Sequence, residues 1–328
     1  VLAITPFNFP LYLAVHKIAP ALAVGCPVIH KPASQTPLTA LALSGIAAEA
    51  GVPPGALQTL PMTAEQAEAL LGDPRIAALS FTGSPAVGWA LRAKSGTKRV
   101  SLELGGNAAV VIEDAEDLDA VARRCAAGAF AYAGQVCISV QRVLIRRPMY
   151  EAFLERFVAA ALALRVGDPL KEDTDVGPMI SASALTRTAE WVKEARAAGA
   201  RILCGGRAEG PSYLPTVLSG VDPGCRLSRE EAFAPVALVD AYDHFEEALA
   251  RVNASPYGLQ AGVYTGDWRK ISRAHEALEV GGVVVNEVPS LRSDAMPYGG
   301  AKASGLGREG VRYAMEEMTE RRVLVLDR

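Results

Sequence analysis

Ile76-Ala77-Ala78-Leu79-Ser80-Phe81 runs straight into Thr82-Gly83-Ser84-Pro85-Ala86-Val87-Gly88, and this stretch sets the reading of the whole chain. The first half is a short apolar run of strand length. The second carries the marks of a helix start, with Ser84 placed to cap and Pro85 at the first helical position. A strand leading directly into a helix is half of a βαβ unit. The same alternation surrounds it: Val1 to Thr5, Pro27 to His30 and Arg99 to Glu103 read as strands with helical patterns between them. The prediction is an α/β fold with mostly parallel sheets. After Thr36-Pro37, the residues Leu38, Leu41, Ala42, Gly45 and Ile46 fall at helical spacing, which predicts an amphipathic helix packed on the sheet and closed at Gly51.

The pattern resumes further on and predicts a second α/β domain, which 328 residues, 50% of them hydrophobic, are enough to build. Ala108 to Ile112, Val143 to Ile145, Gly262 to Thr265, Val283 to Asn286 and Val323 to Leu326 read as strands. Phe153, Phe157, Ala160 and Leu164 mark one helix face. Asp243 and Glu246 form a capping box for a helix with Phe245, Ala248, Leu249 and Val252 on its apolar side.

Composition excludes several classes of partner. The 33 basic residues against 36 acidic ones leave a net charge of -3 without a basic patch, so neither nucleic acid nor an anionic membrane is expected. Apolar runs are broken before the roughly 18 residues a membrane span needs. Five cysteines, an odd number with no C-x-x-C pair and no metal-like spacing to the four histidines, point to free thiols in a reducing, cytoplasmic setting without a metal site.

Three groups carry candidate chemistry. Cys137 sits in Gly134-Gln135-Val136-Cys137-Ile138-Ser139, a glycine-led turn after a helical segment. A lone cysteine is more often a small buried hydrophobe than a nucleophile, and no neighbouring histidine offers a base. Glu103 ends an apolar strand just before Leu104-Gly105-Gly106. Burial there would raise its pKa toward neutrality and suit a general base; a solvated strand end is the plain alternative. Asn8 lies in the proline-rich turn Thr5-Pro6-Phe7-Asn8-Phe9-Pro10, where turn chemistry alone accounts for an asparagine. The helix start at Gly83, Ser84 and Gly88 is a weak phosphate-site signal. Gly305-Leu306-Gly307-Arg308-Glu309-Gly310 matches G-x-G-x-x-G but follows no predicted strand, and is set aside as a dinucleotide fingerprint.

Taken together and in order, Pro6-Phe7-Asn8-Phe9-Pro10, Lys31-Pro32-Ala33, Phe81-Thr82-Gly83-Ser84, Leu102-Glu103-Leu104-Gly105-Gly106, Gly134-Gln135-Val136-Cys137, Glu230-Glu231-Ala232-Phe233-Ala234-Pro235 and Pro297-Tyr298-Gly299-Gly300-Ala301-Lys302 resemble the aldehyde dehydrogenase superfamily over the whole chain. The nearest likeness is to the branch acting on lactaldehyde, glyceraldehyde phosphate or phosphonoacetaldehyde. The resemblance implies two three-layer α/β domains with mostly parallel sheets plus a C-terminal oligomerisation strand. It divides the chain into a partial Rossmann-like cofactor-binding domain over 1–104 that lacks its N-terminal part, a catalytic domain over 105–302, and a C-terminal return over 303–328.

The resemblance also implies roles. Cys137 is the nucleophile, Asn8 an oxyanion donor and Glu103 the base. NAD or NADP is held by Thr5, Pro6, Phe7, Lys31, Ser34, Gly83, Ser84, Gly88, Leu104, Glu231 and Phe233. The expected reaction takes a small-molecule aldehyde to a carboxylic acid through a Cys thioester, in a homodimer or homotetramer. Three departures stand out: a start at the strand before Asn8, the glycine-free segment Leu60-Pro61-Met62-Thr63-Ala64, and Ala234 where a glycine is usual. Ser34 stands where many NAD-specific members carry a glutamate, which removes repulsion of a 2′-phosphate. A truncated, catalytically impaired remnant and a cofactor-independent thiol esterase are the rival readings. His16 and Arg292 are candidates to meet a polar or anionic substrate tail, with surface solvation as the plain alternative.

Overall fold

The computed structural model describes residues 1–327, which form two compact units, each with its own sheet. The first comprises Val1–Leu104, Arg292–Gly299 and Gly305 onward; the second comprises Gly105–Leu291 and Gly300–Ser304. Where the sequence reading begins the return at Ala303, the first unit already takes in Arg292–Gly299.

In the first unit, five parallel strands are β1 (Leu2–Ile4), β2 (Val28–Lys31), β3 (Leu57–Thr59), β4 (Ala78–Thr82) and β5 (Arg99–Glu103). They lie in the order β5-β4-β1-β2-β3, and Gly305–Leu306 adds an antiparallel edge beside β5. The central strands β1 and β4 are buried on both faces because both faces are covered. Leu2, Ile4, Leu79, Phe81 and Leu102 pack with Ala67, Leu71 and Leu91, while Ala3 and Val28 pack with Ala14, Ile18 and Ala21. The G-x-G-x-x-G match is thus an edge strand and turn rather than a strand-to-helix phosphate loop.

The second unit repeats the plan. Its seven-stranded sheet runs Gly282–Val285, Gln260–Tyr264, Ala108–Ile112, Val140–Arg146, Val236–Tyr242, Thr216–Ser219 and Arg201–Cys204, antiparallel only at the last pair. Alternate residues of one strand serve opposite cores: Val110 and Ile112 pack with Phe130, Phe153 and Phe157, and Ala109 and Val111 with Ala248, Leu249 and Val252. Three of this sheet's strands (Arg201–Cys204, Thr216–Ser219, Val236–Tyr242) are absent from the sequence reading, which names no element between the helix face ending at Leu164 and the helix start at Asp243.

Four sequence expectations are corrected. The helix Pro37–Glu49 forms, but only Ala40 is buried, and Leu38, Leu41 and Ile46 are exposed; periodicity marks an apolar side without saying what covers it. The Asp243/Glu246 capping box is not made: His244 holds the cap position, Asp243 pairs with Arg147 and Glu246 with Arg273. Ser84 caps by position only, with no side-chain bond. Val323–Leu326 pairs with no strand among the described residues, because an isolated strand has no ladder partner for its N–H and C=O groups. Arg328, the last residue of the expected return, lies outside the described residues.

Candidate active site

In the first unit, β1 delivers Thr5 and a tight turn in which Asn8 is buried. The helix Tyr12–Ala23 follows, with Lys17 embedded in its apolar side. Lys17 Nζ donates to Ser80 Oγ at 3.1 Å and to Glu309 Oε1 at 2.8 Å, and Arg292 Nη2 reaches Glu309 Oε2 at 3.1 Å. Glu103, at the end of β5, is 3% exposed, and neither carboxyl oxygen has a hydrogen-bond partner among the described residues. Burial first, and the nearby Glu309 second, drive its pKa well above the ordinary value. Glu309 moves the other way: burial is opposed by Lys17 and Arg292, which hold it ionised. The solvated alternative for Glu103 is overturned.

His16 and Arg292 are not solvated either, with side chains 7% and 10% exposed. Arg292 donates to His16 Nδ1 at 3.1 Å and stacks 3.8 Å above the Tyr298 ring centroid. Both are thus engaged inside the unit. Neither Lys17 nor Glu309 is given a role in the sequence reading; the legible signal for Lys17 is a cation inside the largely apolar Tyr12–Ala23 stretch.

The same unit fits one end of a dinucleotide. The helix Pro85–Lys94 begins without a side-chain cap, without an N–H at Pro85 and without an acidic residue in its first turn, leaving first-turn donors for an anion. A Cβ at Gly88 would strike the Leu104 side chain, and one at Gly83 would lie 2.5 Å from Phe81 Cζ, so larger residues would fill this cradle. Lys31 ends β2 half-buried, and burial lowers its pKa; Ser34 is exposed in the turn beyond.

In the second unit, the helix Leu118–Phe130 is followed by Tyr132, Ala133 and Gly134, all left-handed with φ of 55°, 54° and 66°. Two non-glycine residues there store strain of about 1–2 kcal/mol each, which the surrounding contacts must hold. Gln135 holds one side of Cys137, donating to Tyr132 O and accepting the Ile180 N–H at 2.9 Å; Ser139 holds the other, donating to Ala129 O at 3.0 Å. Cys137 is half-exposed in the turn between them. A Cβ on Gly106 would meet the Cys137 carbonyl, and one on Gly134 would meet the Ala234 carbonyl. The Cys137 turn is thereby seated between the Gly106 segment and the Ala234 segment.

Glu231 accepts the Gly106 N–H at 2.9 Å, and burial pushes its pKa up to about 7 against the pull of that bond and of Arg187. Gln141 fixes the same segment, donating to Glu230 O at 2.8 Å and accepting from Ala232 N at 2.9 Å. Phe233 is left-handed at φ 47°. A small cavity lined by Gly106, Gly134, Val136, Glu231, Phe233 and Ala234 joins these pieces. Among the described residues no group of three His, Cys, Asp or Glu side chains could hold a metal ion.

The model of the aldehyde dehydrogenase family matches residues 1–324. The chain belongs to that family. This aldehyde dehydrogenase is 46% identical over 328 residues to a 3-sulfolactaldehyde dehydrogenase of Priestia megaterium, covering all of this chain and 69% of that protein. It is 41% identical over 332 residues to a lactaldehyde dehydrogenase of Methanocaldococcus jannaschii, covering 99% and 71%. Among solved structures, aldehyde dehydrogenase 21 of Physcomitrella patens, in complex with the product succinate, superposes with a TM-score of 0.97 at 46% identity, covering 99% of this chain and 68% of that one. The glyceraldehyde-3-phosphate dehydrogenase GapN of M. jannaschii, complexed with NADP, does so at 0.93 and 41% identity, covering 97% and 70%. The family and fold read from the motifs are confirmed, and the enzyme is an NAD(P)-dependent oxidoreductase acting on aldehydes. No helix among the described residues is long and apolar enough to cross a membrane.

Proposed function

We propose that this chain oxidises a small aldehyde to the carboxylic acid through a Cys137 thioester, which water activated by Glu103 hydrolyses. The observation that carries the reading is Glu103 itself, a buried carboxyl whose oxygens are unbonded and whose basicity is raised. A group so placed is costly to keep unless it moves a proton. Lys31, Ser34, Gly83, Ser84, Gly88 and Leu104, with Thr5, Pro6 and Phe7, would hold NAD(P) in the first unit, and Glu231 and Phe233 would hold its nicotinamide end. When bound, the cofactor supplies the hydride acceptor.

The Cys137 thiolate forms a bond to the aldehyde carbon, and the carbonyl electron pair becomes an oxyanion received by the Asn8 amide and the Cys137 N–H. Loss of hydride leaves the thioester. Glu103 takes a proton from water as its oxygen bonds to the acyl carbon, and the C–S bond breaks to return the thiolate. A homo-oligomer belongs to this reading, supported by the exposed apolar run Val323–Leu326, as does a cytoplasmic setting, supported by five free cysteines.

Glu103→Gln keeps size and hydrogen-bonding reach but removes basicity. The expected record is a burst of NAD(P)H near one equivalent, then a steady rate lower by about 10²- to 10⁴-fold, with the acyl mass on the Cys137 peptide. Normal turnover by Glu103→Gln, or any NAD(P)H from Cys137→Ala, overturns the assignment.

A further inference from the structure

His30 is fully buried at 0% exposure in the middle of β2, yet nothing in the mechanism above uses it. In the sheet register it lies between Thr59 of β3 and Ala3 of β1, and the row continues through Ser80 to Ser101. Register neighbours point to one face, so Thr59, His30, Ser80 and Ser101 form a polar row across a sheet face otherwise packed by Ala3, Ala14, Ile18, Ala21 and Val28. Lys17 reaches into that row at Ser80.

The imidazole bridges two strands. Nε2 lies 2.9 Å from Thr5 Oγ1 and Nδ1 lies 3.4 Å from Thr59 Oγ1, while Ser44 Oγ donates to Thr59 Oγ1 at 2.6 Å. The roles in the two ring contacts follow from the tautomer. Thr59 accepts from Ser44, which leaves its own proton to give; in the Nε2–H tautomer that proton goes to Nδ1 and Nε2–H donates to Thr5. Burial, then the cations Lys17 from the preceding helix and Lys31 from the same strand, lower the ring's pKa to about 4, which agrees with one ring proton.

We infer that His30, as a neutral Nε2–H imidazole, is a positioning residue for the cofactor, tying Thr5 to the end of β3 through Thr59 and Ser44. Thr5 opens the turn that carries Pro6, Phe7 and Asn8, and Thr59 leads into Leu60-Pro61-Met62. Lys31, the next residue of β2, is the proposed ribose contact. One buried side chain thus sets the spacing of the segments on either side of Lys31. The inference rests on the proposed cofactor roles of Thr5 and Lys31.

Two measurements on the purified protein test it, and they fail separately from that reading. Imidazole 15N NMR, with the His30 signals identified by their loss in His30→Gln, should show the Nε2–H tautomer with no titration between pH 5 and 8. A second ring proton in that range, or the Nδ1–H tautomer, overturns the bonding scheme whatever the cofactor does. Titration with NADP and NAD should show His30→Leu weakening both by about five- to tenfold, the size of one lost buried hydrogen bond, with kcat at saturation within twofold. His30→Gln, which returns an N–H at the ε position, should restore most of the affinity. Unchanged affinity in His30→Leu overturns the positioning role. If His30→Leu does not fold, a His30→Gln affinity weaker than the parent's by tenfold or more does so in its place. A correct tautomer with affinity unchanged in both variants rejects the link to the cofactor while leaving the hydrogen-bonded row intact.

Discussion

The Glu231 carboxyl accepts the Gly106 N–H at 2.9 Å, and it occupies the space that a side chain on Gly105 would need. Gly105→Ala should push Glu231 off this bond and weaken NAD(P) binding by about tenfold, one hydrogen bond to a charged group. In a Glu231→Ala background the same substitution should cost almost nothing more. A double-mutant cycle by cofactor titration reads the coupling, and strictly additive effects reject the contact as the cause.

Glu103 and Glu309 respond to pH with opposite signs. Folded Glu103 keeps a proton that the unfolded chain releases above the ordinary 4.5, so its contribution to stability falls as pH rises from 4.5 toward its raised pKa. Glu309 is held below 4.5, and its contribution is present above that value and lost as pH falls through the lowered pKa. Urea unfolding across pH should therefore show Glu103→Gln gaining on the parent toward alkali, and Glu309→Gln losing to it most at neutral pH. The thioester hydrolysis rate should rise with pH through the Glu103 pKa, and this limb should vanish in Glu103→Gln.

Lys17 and Glu309 are a buried pair, 1% and 3% exposed. Lys17→Met removes one partner and should cost about 3–5 kcal/mol, because a buried carboxylate loses its nearest cation. Lys17→Met with Glu309→Leu should recover much of that loss. Chemical denaturation checks both, and a double variant no better than the single would place the cost in packing rather than charge.

Gly134→Ala meets two obstacles at once, a left-handed φ of 66° and the Ala234 carbonyl. The expected loss is at least about 2 kcal/mol. The Cys137 turn should loosen with it, so reaction of Cys137 with iodoacetamide should change severalfold while the fold persists by circular dichroism. Unaltered thiol kinetics would show that the contact does not set the turn.

Ser34→Glu should weaken NADP at least about tenfold more than NAD, since only a 2′-phosphate meets the new charge. Equal losses for both in a fluorescence titration would put Ser34 away from the ribose.

Local patterns that report on their own neighbourhood were legible. The strands Arg99–Glu103 and Ala108–Ile112 have the bounds read from the sequence, and Ala108–Ile112, covered on both faces, is simply apolar from end to end. The ordered motifs carried the family. Signals that depend on a distant partner were not legible. Leu38, Leu41 and Ile46 have the right period but no cover among the described residues, and Asp243 has the right spacing but spends its carboxylate on Arg147, 96 residues away.

What the sequence alone determined is thus the α/β plan, the family, and the identities of Cys137, Glu103 and Asn8 as candidates, all of which rest on residue type and short spacing. Only the tertiary structure decided that Glu103 is buried and unbonded, that Glu309, 206 positions from it by residue number (309 less 103), is its electrostatic counterweight, and that His30 spans Thr5 and Thr59. Burial and the sign of a pKa shift are sums over neighbours brought together by folding, and no local stretch of chain contains them.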